Sequence, residues 1–295
     1  MKPSDSRTQL HEALLQWYAE RGRPLLWRRT PGDPYQVLVR EVMLQQTQVA
    51  RVERLLPRFL ERFPTVQALA AAPLAEVIRW WQGLGYNRRA RLLWECARRI
   101  VEDYGGVIPS DPGLLTRLPG IGRYTAAAVA TFAFGRQDVP VVDTNIARAL
   151  QRLLAETLPP RVLLQRAREL IPPGASVQWH EALMDLGALY CRKRRPLCGQ
   201  CPLRSWCRSA GREVQELSSG TRGEPHFQGV PRRLWRGRLL RLVATVGRIT
   251  LEEVAAALFE APPTPQQRRW LRELVAGLVR DGLLQSRRGW LMLPQ

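Results

Sequence analysis

Four cysteines, Cys191, Cys198, Cys201 and Cys207, fall in one short stretch with the spacing C-x6-C-x2-C-x5-C, while Cys96 stands apart. Four thiolates converging from one loop are ligands for a metal centre, and an intracellular chain of this size is not a disulfide scaffold. The spacing favours a cubane iron–sulfur cluster and leaves a tetrahedral zinc open, because zinc ribbons pair two C-x2-C knuckles and only one is present. Cys96 lies among Leu92, Leu93, Trp94 and Ile100 and reads as an inert core residue.

Two carboxylates stand in contrasting settings. Glu41 shares a helix face with Val37, Leu38, Leu44 and Gln45, where loss of water favours the protonated form and a general-acid role. Asp143 follows the extended Val139-Pro140-Val141-Val142 and precedes Thr144-Asn145-Ile146. That is the place of a helix N-cap, where backbone N–H groups hold a carboxylate ionised. Each alone has a plainer reading: Glu41 as a glutamate at the edge of a core face, paired with Arg40, and Asp143 as a structural cap. Together they offer an acid for a leaving group and an anion for an oxocarbenium-like sugar, the division of labour that cleaves a glycosidic bond. Leu118-Pro119-Gly120-Ile121-Gly122-Arg123-Tyr124-Thr125 adds a third element. Two glycines two apart between helical segments make a tight hairpin, either a nest for a phosphate oxygen or an ordinary helix connection.

The chain that must position these groups has 295 residues, 45% of them apolar and 24% charged, with a net charge of +19. It is long enough for one large domain or two and too apolar for disorder. No apolar run approaches the ~20 residues of a membrane helix, and Glu12, Glu20 and several arginines break any signal-peptide pattern. A soluble cytoplasmic protein, nucleoid-associated and monomeric, is expected. The charge exceeds the ~2–8 that solubility needs and points to a polyanion, most commonly nucleic acid. All but Lys2 and Lys193 of the 45 basic residues are arginine, a bias of composition that assigns no function.

Helical periodicity dominates, so an all-α fold is expected. Leu10, Leu14, Trp17 and Tyr18 form one helix face that Gly22 terminates, and Asp33-Pro34 opens a second helix running to Gln46. A third carries Val49, Val52, Leu55, Leu56, Phe59, Leu60 and Phe63, with Pro57 as a candidate kink. Further helices are predicted around 74–82, 87–103, 123–134, 144–155, 161–170 and 178–190. Glycine, serine and proline make 211–233 a linker. Beyond it Leu239 to Val246, a capping box at Thr250 and Glu253, and Thr264-Pro265 with Gln267 predict three helices. Leu283-Leu284, Arg287-Arg288-Gly289 and Trp290-Leu291-Met292 predict a two-stranded wing, hence a winged-helix-like module over 234–295. Residues 1–210 are expected to form a two-lobed domain, with a six-helix lobe over about 31–137 and a second lobe from 1–30 and 138–210.

Glu41-Val42-Met43-Leu44-Gln45-Gln46-Thr47-Gln48-Val49, Gly83-Leu84-Gly85-Tyr86, Leu118-Pro119-Gly120-Ile121-Gly122, Met184-Asp185-Leu186-Gly187-Ala188 and the four-cysteine loop resemble, in that order, the MutY-type adenine DNA glycosylases. These belong to the helix-hairpin-helix superfamily that also contains endonuclease III. The resemblance covers about residues 8–210. It implies a [4Fe–4S] cluster on Cys191, Cys198, Cys201 and Cys207. Glu41 matches the family's general acid, which protonates N7 of an extruded adenine, and Asp143 the carboxylate that stabilises the deoxyribose C1′ cation. Asn145 matches an asparagine that organises the site. Tyr124 falls where bifunctional relatives place the Schiff-base lysine, so little or no lyase activity is expected. Gln46 and Tyr86 align with residues inserted into the duplex, since wedges offset part of the cost of extruding a base. Gln45, Gly120, Gly122, Arg123, Arg194 and Arg195 complete the expected contacts with DNA.

Three positions depart from the pattern: Asn87 replaces the second tyrosine of Gly-Tyr-Tyr, Thr144 replaces the glycine of Asp-Gly-Asn, and the winged-helix-like module stands in place of the family's Nudix-like domain. The resemblance thus implies a monofunctional glycosylase of base excision repair that releases adenine mispaired with 8-oxoguanine or G in duplex DNA. A glycosylase of the same fold acting on thymine, uracil or hypoxanthine opposite G is the nearest alternative. A non-catalytic iron–sulfur DNA-binding regulator is the alternative of another class.

Overall fold

Apolar residues at three- and four-residue steps close into helices wherever a cap or a breaker stops them. The computed structural model describes residues 3–28, 32–212, 223–259 and 262–294. The first eleven helices are α1 (Pro3–Arg21), α2 (Pro34–Leu44), α3 (Val49–Arg62), α4 (Val66–Ala71), α5 (Leu74–Trp80), α6 (Arg88–Tyr104), α7 (Pro112–Leu115), α8 (Arg123–Phe134), α9 (Thr144–Leu154), α10 (Pro160–Glu169) and α11 (Ser176–Leu189). The C-terminal part holds β1 (His226–Phe227), β2 (Val230–Pro231), α12 (Arg232–Val246), β3 (Arg248–Thr250), α13 (Leu251–Leu258), α14 (Pro265–Arg280), β4 (Gln285–Arg287) and β5 (Trp290–Met292).

Most of these match the predicted helices within a few residues. α2 is shorter, ending at Leu44, because Gln46 adopts a left-handed φ of 57°. Pro57 lies inside an uninterrupted α3. The short α4 and α7 were not predicted, although Thr65 and Asp111 cap them with side chains that accept from Ala68 and Leu114.

The chain divides into two compact units. One comprises Met1–Val37, Ser110–Thr116 and Gly122–Gly220; the other comprises Leu38–Pro109, Arg117–Ile121 and Thr221–Gln295. The division differs from the expected lobes, since α8 groups with the cysteine loop and the C-terminal module groups with 38–109. In the first unit Leu10, Leu14 and Trp17 of α1 pack with Ile146, Leu150 and Leu153 of α9, Leu163 of α10, and Trp179, Leu183 and Leu186 of α11. α8 is buried from Thr125 to Thr131, which its run of alanines permits. Asp185, fully buried on α11, binds both the segment after α1 and the turn at 26–28. It accepts from the Arg23 backbone N–H and Nε at 2.7 Å each, and from Arg28 Nη1 at 2.8 Å and Nη2 at 3.1 Å. Asp185→Asn leaves Arg23 without its anion and Arg28 with Glu181 as its remaining carboxylate, and is expected to destabilise the fold by about 3–5 kcal/mol. Urea unfolding measures this, and a loss below ~1 kcal/mol would contradict the role given to Asp185.

In the second unit the C-terminal module is not an appendage. Trp235, Leu239, Leu240 and Val243 of α12, Leu271, Leu274 and Leu278 of α14, and Leu291 of β5 share one core with Leu74 and Ile78 of α5. Trp94 of α6 packs against the same core. Thr250 and Thr264 close capping boxes with Glu253 and Gln267, as their spacing predicts. The expected two-stranded wing gains a third strand, giving the antiparallel order β3-β5-β4. Part of the expected linker is structured, since β1 and β2 pair as a hairpin and Phe227 stacks on Trp270 at 4.2 Å. Residues 213–222 of that stretch lie outside the described residues.

Candidate active site

α2 carries Glu41 at 3% exposure, where its Oε1 accepts from Arg40 Nε at 3.1 Å. Arg40 is itself buried. A carboxylate and a guanidinium so far from water hold each other in a fixed geometry.

The same unit carries the two expected wedges. Gln46 and Tyr86 both have left-handed φ angles, 57° and 45°, a conformation that costs a side chain-bearing residue about 1–3 kcal/mol and persists only where surroundings impose it. Arg89 of α6 supplies the constraint. Its Nη1 donates to the carbonyls of Val42 and Met43 at 2.7 and 2.9 Å, satisfying the C-terminal end of α2. Its Nη2 donates to Thr47 Oγ1 at 2.9 Å and to the carbonyls of Leu84 and Gly85 at 3.2 and 3.1 Å. One buried side chain thereby fixes both the turn that holds Gln45 and Gln46 and the loop that holds Tyr86. Burial pushes the Arg89 guanidinium down to about 10, so it stays charged at neutral pH. Nothing in the sequence marked Arg89 among so many arginines.

The hairpin's two glycines differ in their reasons. Gly120 has φ +75°, and a Cβ there would lie 2.8 Å from Leu92 Cβ, so the fold itself demands glycine. Gly122 caps α8 with an ordinary φ, and a Cβ there would meet nothing within 4 Å. Open space at a helix N-terminus suits the close approach of an anion.

In the first unit Asp143 is the N-cap of α9, as its position predicts. Its Oδ1 accepts from the Ile146 N–H at 2.7 Å and its Oδ2 from Asn145 Nδ2 at 3.0 Å. Asn145 Oδ1 accepts from Arg148 Nη2 at 2.8 Å, and Arg148 also donates to the carbonyls of Gly187 and Cys191, at 2.7 Å each. Gly187 allows this approach of α11 to α9, since a Cβ there would fall 2.6 Å from Asn145 Cβ. Tyr124 lines a cavity of about 600 Å³ with Arg123, Arg168, Leu164 and Val142, the residue before Asp143. That size is in the range of small-molecule sites.

His180, which no motif singled out, fixes the segment that leads to Asp143. Its Nδ1–H donates to the Ser176 carbonyl at 2.6 Å and its Nε2 accepts from the Val141 N–H at 3.0 Å. The second bond requires the neutral ring, because a protonated Nε2 has no lone pair with which to accept. Burial pushes His180 down to about 4, with the Ser176 carbonyl pulling the other way. The unfolded chain therefore binds more protons between about pH 4 and 6.5. Stability is whole above about pH 6.5 and falls as the pH drops, by about 3 kcal/mol at pH 4. Thermal melts across that window should show a steeper loss for the native chain than for His180→Gln, and equal slopes would contradict this.

The cysteine loop is tied to α9 and α11. The Cys191 N–H donates to Leu186 O at 2.8 Å, and Arg152 Nη1 lies 3.4 Å from Cys191 Sγ. Cys207 Sγ–H donates to Arg152 O at 3.5 Å, and backbone turns link Cys198 to Cys201 and Arg204 to Cys207. Burial pushes the Cys201 thiol up to about 11, with a bond to the Leu203 backbone opposing it and the charges of Cys191, Cys207 and Cys198 adding to it. Among the described residues no three His, Cys, Asp or Glu side chains form a group that could hold a metal ion. Arg194 and Arg195 are exposed on this loop. Cys96 is fully buried and its thiol is pushed up to about 12. No described helix is long and apolar enough to cross a membrane.

A profile of the HhH-GPD superfamily of base excision DNA repair proteins matches residues 39–173. The adenine DNA glycosylase of Mycolicibacterium smegmatis is 42% identical over 274 residues, covering 90% of this chain and 91% of that protein. The human adenine DNA glycosylase is 44% identical over 230 residues, covering 72% of this chain but 42% of the human one, so the chain spans less than half the length of that relative. A thermostable thymine-DNA glycosylase superposes with a TM-score of 0.66 at 30% identity, over 70% of this chain and 97% of its own. The chain belongs to the HhH-GPD superfamily of base excision DNA repair proteins, in its adenine DNA glycosylase branch.

Proposed function

We propose that the protein hydrolyses the N-glycosidic bond of adenine mispaired with 8-oxoguanine or G in duplex DNA. The observation that carries this is the Asp143 carboxylate, held by the α9 N-terminus and Asn145 in a chain with 42% identity to an adenine DNA glycosylase over 90% of its length. In this reading Glu41 gives a proton to N7 so that the base leaves neutral, and Asp143 faces the developing C1′ cation. Water then completes hydrolysis. Tyr124 has no amine for a Schiff base, so the reaction stops at the abasic sugar. Gln46 and Tyr86 enter the duplex as wedges, with Gln45 beside them, while Gly120, Gly122 and Arg123 receive a phosphate and Arg194 and Arg195 extend the basic surface.

Cys191, Cys198, Cys201 and Cys207 would hold a [4Fe–4S] cluster. Four thiols from one short loop tied to α9 and α11 are the donor set a cubane takes, one thiolate on each iron. When bound, the cluster would supply a rigid crosslink that shapes the basic loop, and no step of the hydrolysis is routed through it. The three C-terminal helices and the β3-β5-β4 sheet are read as a winged helix. Likeness to a thymine-DNA glycosylase favours one second reading, release of thymine opposite G. Single-turnover excision on duplexes holding A opposite 8-oxoguanine, A opposite G and T opposite G decides between them. Adenine release is expected, and its failure on both adenine duplexes overturns the proposal.

A further inference from the structure

α14 has a glycine, Gly277, in its last turn. Three guanidinium groups converge over it. A Cβ at Gly277 would have Arg236 Nη1 at 3.4 Å, Arg232 Nη2 at 3.5 Å and Arg280 Nη2 at 3.9 Å as its nearest neighbours. Like charges gathered within 4 Å of one point repel strongly. Asp281 compensates one of them, its Oδ2 accepting from Arg236 Nη2 at 2.5 Å. Among the described residues Arg232 and Arg280 have no carboxylate partner. The surplus of positive charge at this spot is local and built into two packed helices, since α12 and α14 share one core.

We propose that Arg232, Arg236 and Arg280 form a phosphate-binding site that takes a backbone phosphate of the duplex beside the hairpin; this rests on DNA being the substrate. Guanidinium forks match phosphate oxygens bidentately, and an anion shared by three of them relieves their repulsion. The placement also fits. Arg91 of α6 donates from Nη1 to the carbonyl of Asp281 at 2.9 Å, while the next residue, Leu92, backs Gly120 of the hairpin. The arginine cluster and the hairpin are therefore anchored on consecutive residues of one helix. Successive phosphates of one strand lie ~3.4 Å apart along the duplex axis, so a duplex seated on the hairpin presents further phosphates to groups held by the same helix. The C-terminal module thereby lengthens the footprint on DNA without reading its sequence.

The test uses the full-length protein and duplexes with one central mismatch, shortened stepwise from either end, with affinity measured against KCl concentration. Two variants are compared with the native chain. Arg232→Gln/Arg280→Gln removes two cations, and Gly277→Glu keeps every arginine but sets a carboxylate among them, its Cβ meeting neighbours at ordinary contact distance. In both, the slope of log affinity against log salt should fall in magnitude by about 1, since each phosphate contact contributes ~0.9. Binding at physiological salt should weaken about tenfold. The native penalty for shortening one particular flank should disappear, while base release at saturating protein stays unchanged. If the double variant does not fold, Gly277→Glu carries the test alone. Native slopes and native flank dependence in folded variants overturn the proposal and leave an acidic protein segment as the remaining occupant. Reduced slopes in a protein that releases no base from any mismatch would uphold the phosphate site while removing the glycosylase reading.

Discussion

Glu41→Gln is expected to slow single-turnover adenine release by about 10²–10⁴-fold, the usual contribution of a positioned acid or base. Glutamine keeps the shape of the side chain and can still accept from Arg40 Nε, 3.1 Å from the native carboxyl. It has no carboxyl proton to give. The loss corresponds to about 3–5 kcal/mol of barrier. Duplex affinity should stay within a few-fold, because nothing that grips phosphate is removed. Thermal stability must be followed in parallel, since the variant removes the buried carboxylate charge that faces Arg40 Nε. Release of a pyrimidine, where tested, should be slowed much less, because the proton on N7 is specific to purine departure. A variant that folds, binds and still releases adenine at the native rate removes Glu41 from the chemistry.

Asp143→Asn should reduce release by about 10²–10³-fold, the effect of deleting one preorganised electrostatic group at a developing charge. Asparagine can still cap α9, with its oxygen accepting from the Ile146 N–H that Asp143 binds at 2.7 Å. The helix should therefore persist, and the defect should lie in the rate rather than in folding. A further disturbance is expected next door. The new amide would present N–H groups to Asn145 Nδ2, which now donates to Asp143 Oδ2 at 3.0 Å. Asn145 must then turn, giving up the oxygen it offers Arg148 at 2.8 Å. Release within tenfold of the native rate, in a protein that melts normally, would show that the anion has no part in the reaction.

The sequence announced some of this and hid the rest for identifiable reasons. Caps were legible because they need particular residues at fixed offsets: Asp143, Thr250 with Glu253, and Thr264 with Gln267 all do what their spacing foretold. Long amphipathic helices were legible for the same reason. Strands of two or three residues such as β1, β2 and β3 are too short to show an alternating pattern. Arg89, Arg148 and His180 escaped because their work is done through contacts 39 to 47 residues away, and no local pattern records such partners. Gln46 was read as the end of a helix, whereas the clamp on its turn forces it into a conformation that only tertiary contacts explain.

Leu74 and Ile78 belong to a short helix near the start of the second unit, yet they lie in the same oily interior as Trp235 and Leu278. The C-terminal module therefore cannot be exchanged as a cassette. Any descendant or relative that trades it for another domain must also recolour positions 74, 78 and 94, or carry a sticky scar where the lost partner sat. Inheritance of the two regions is coupled by that shared interior, whatever the module binds.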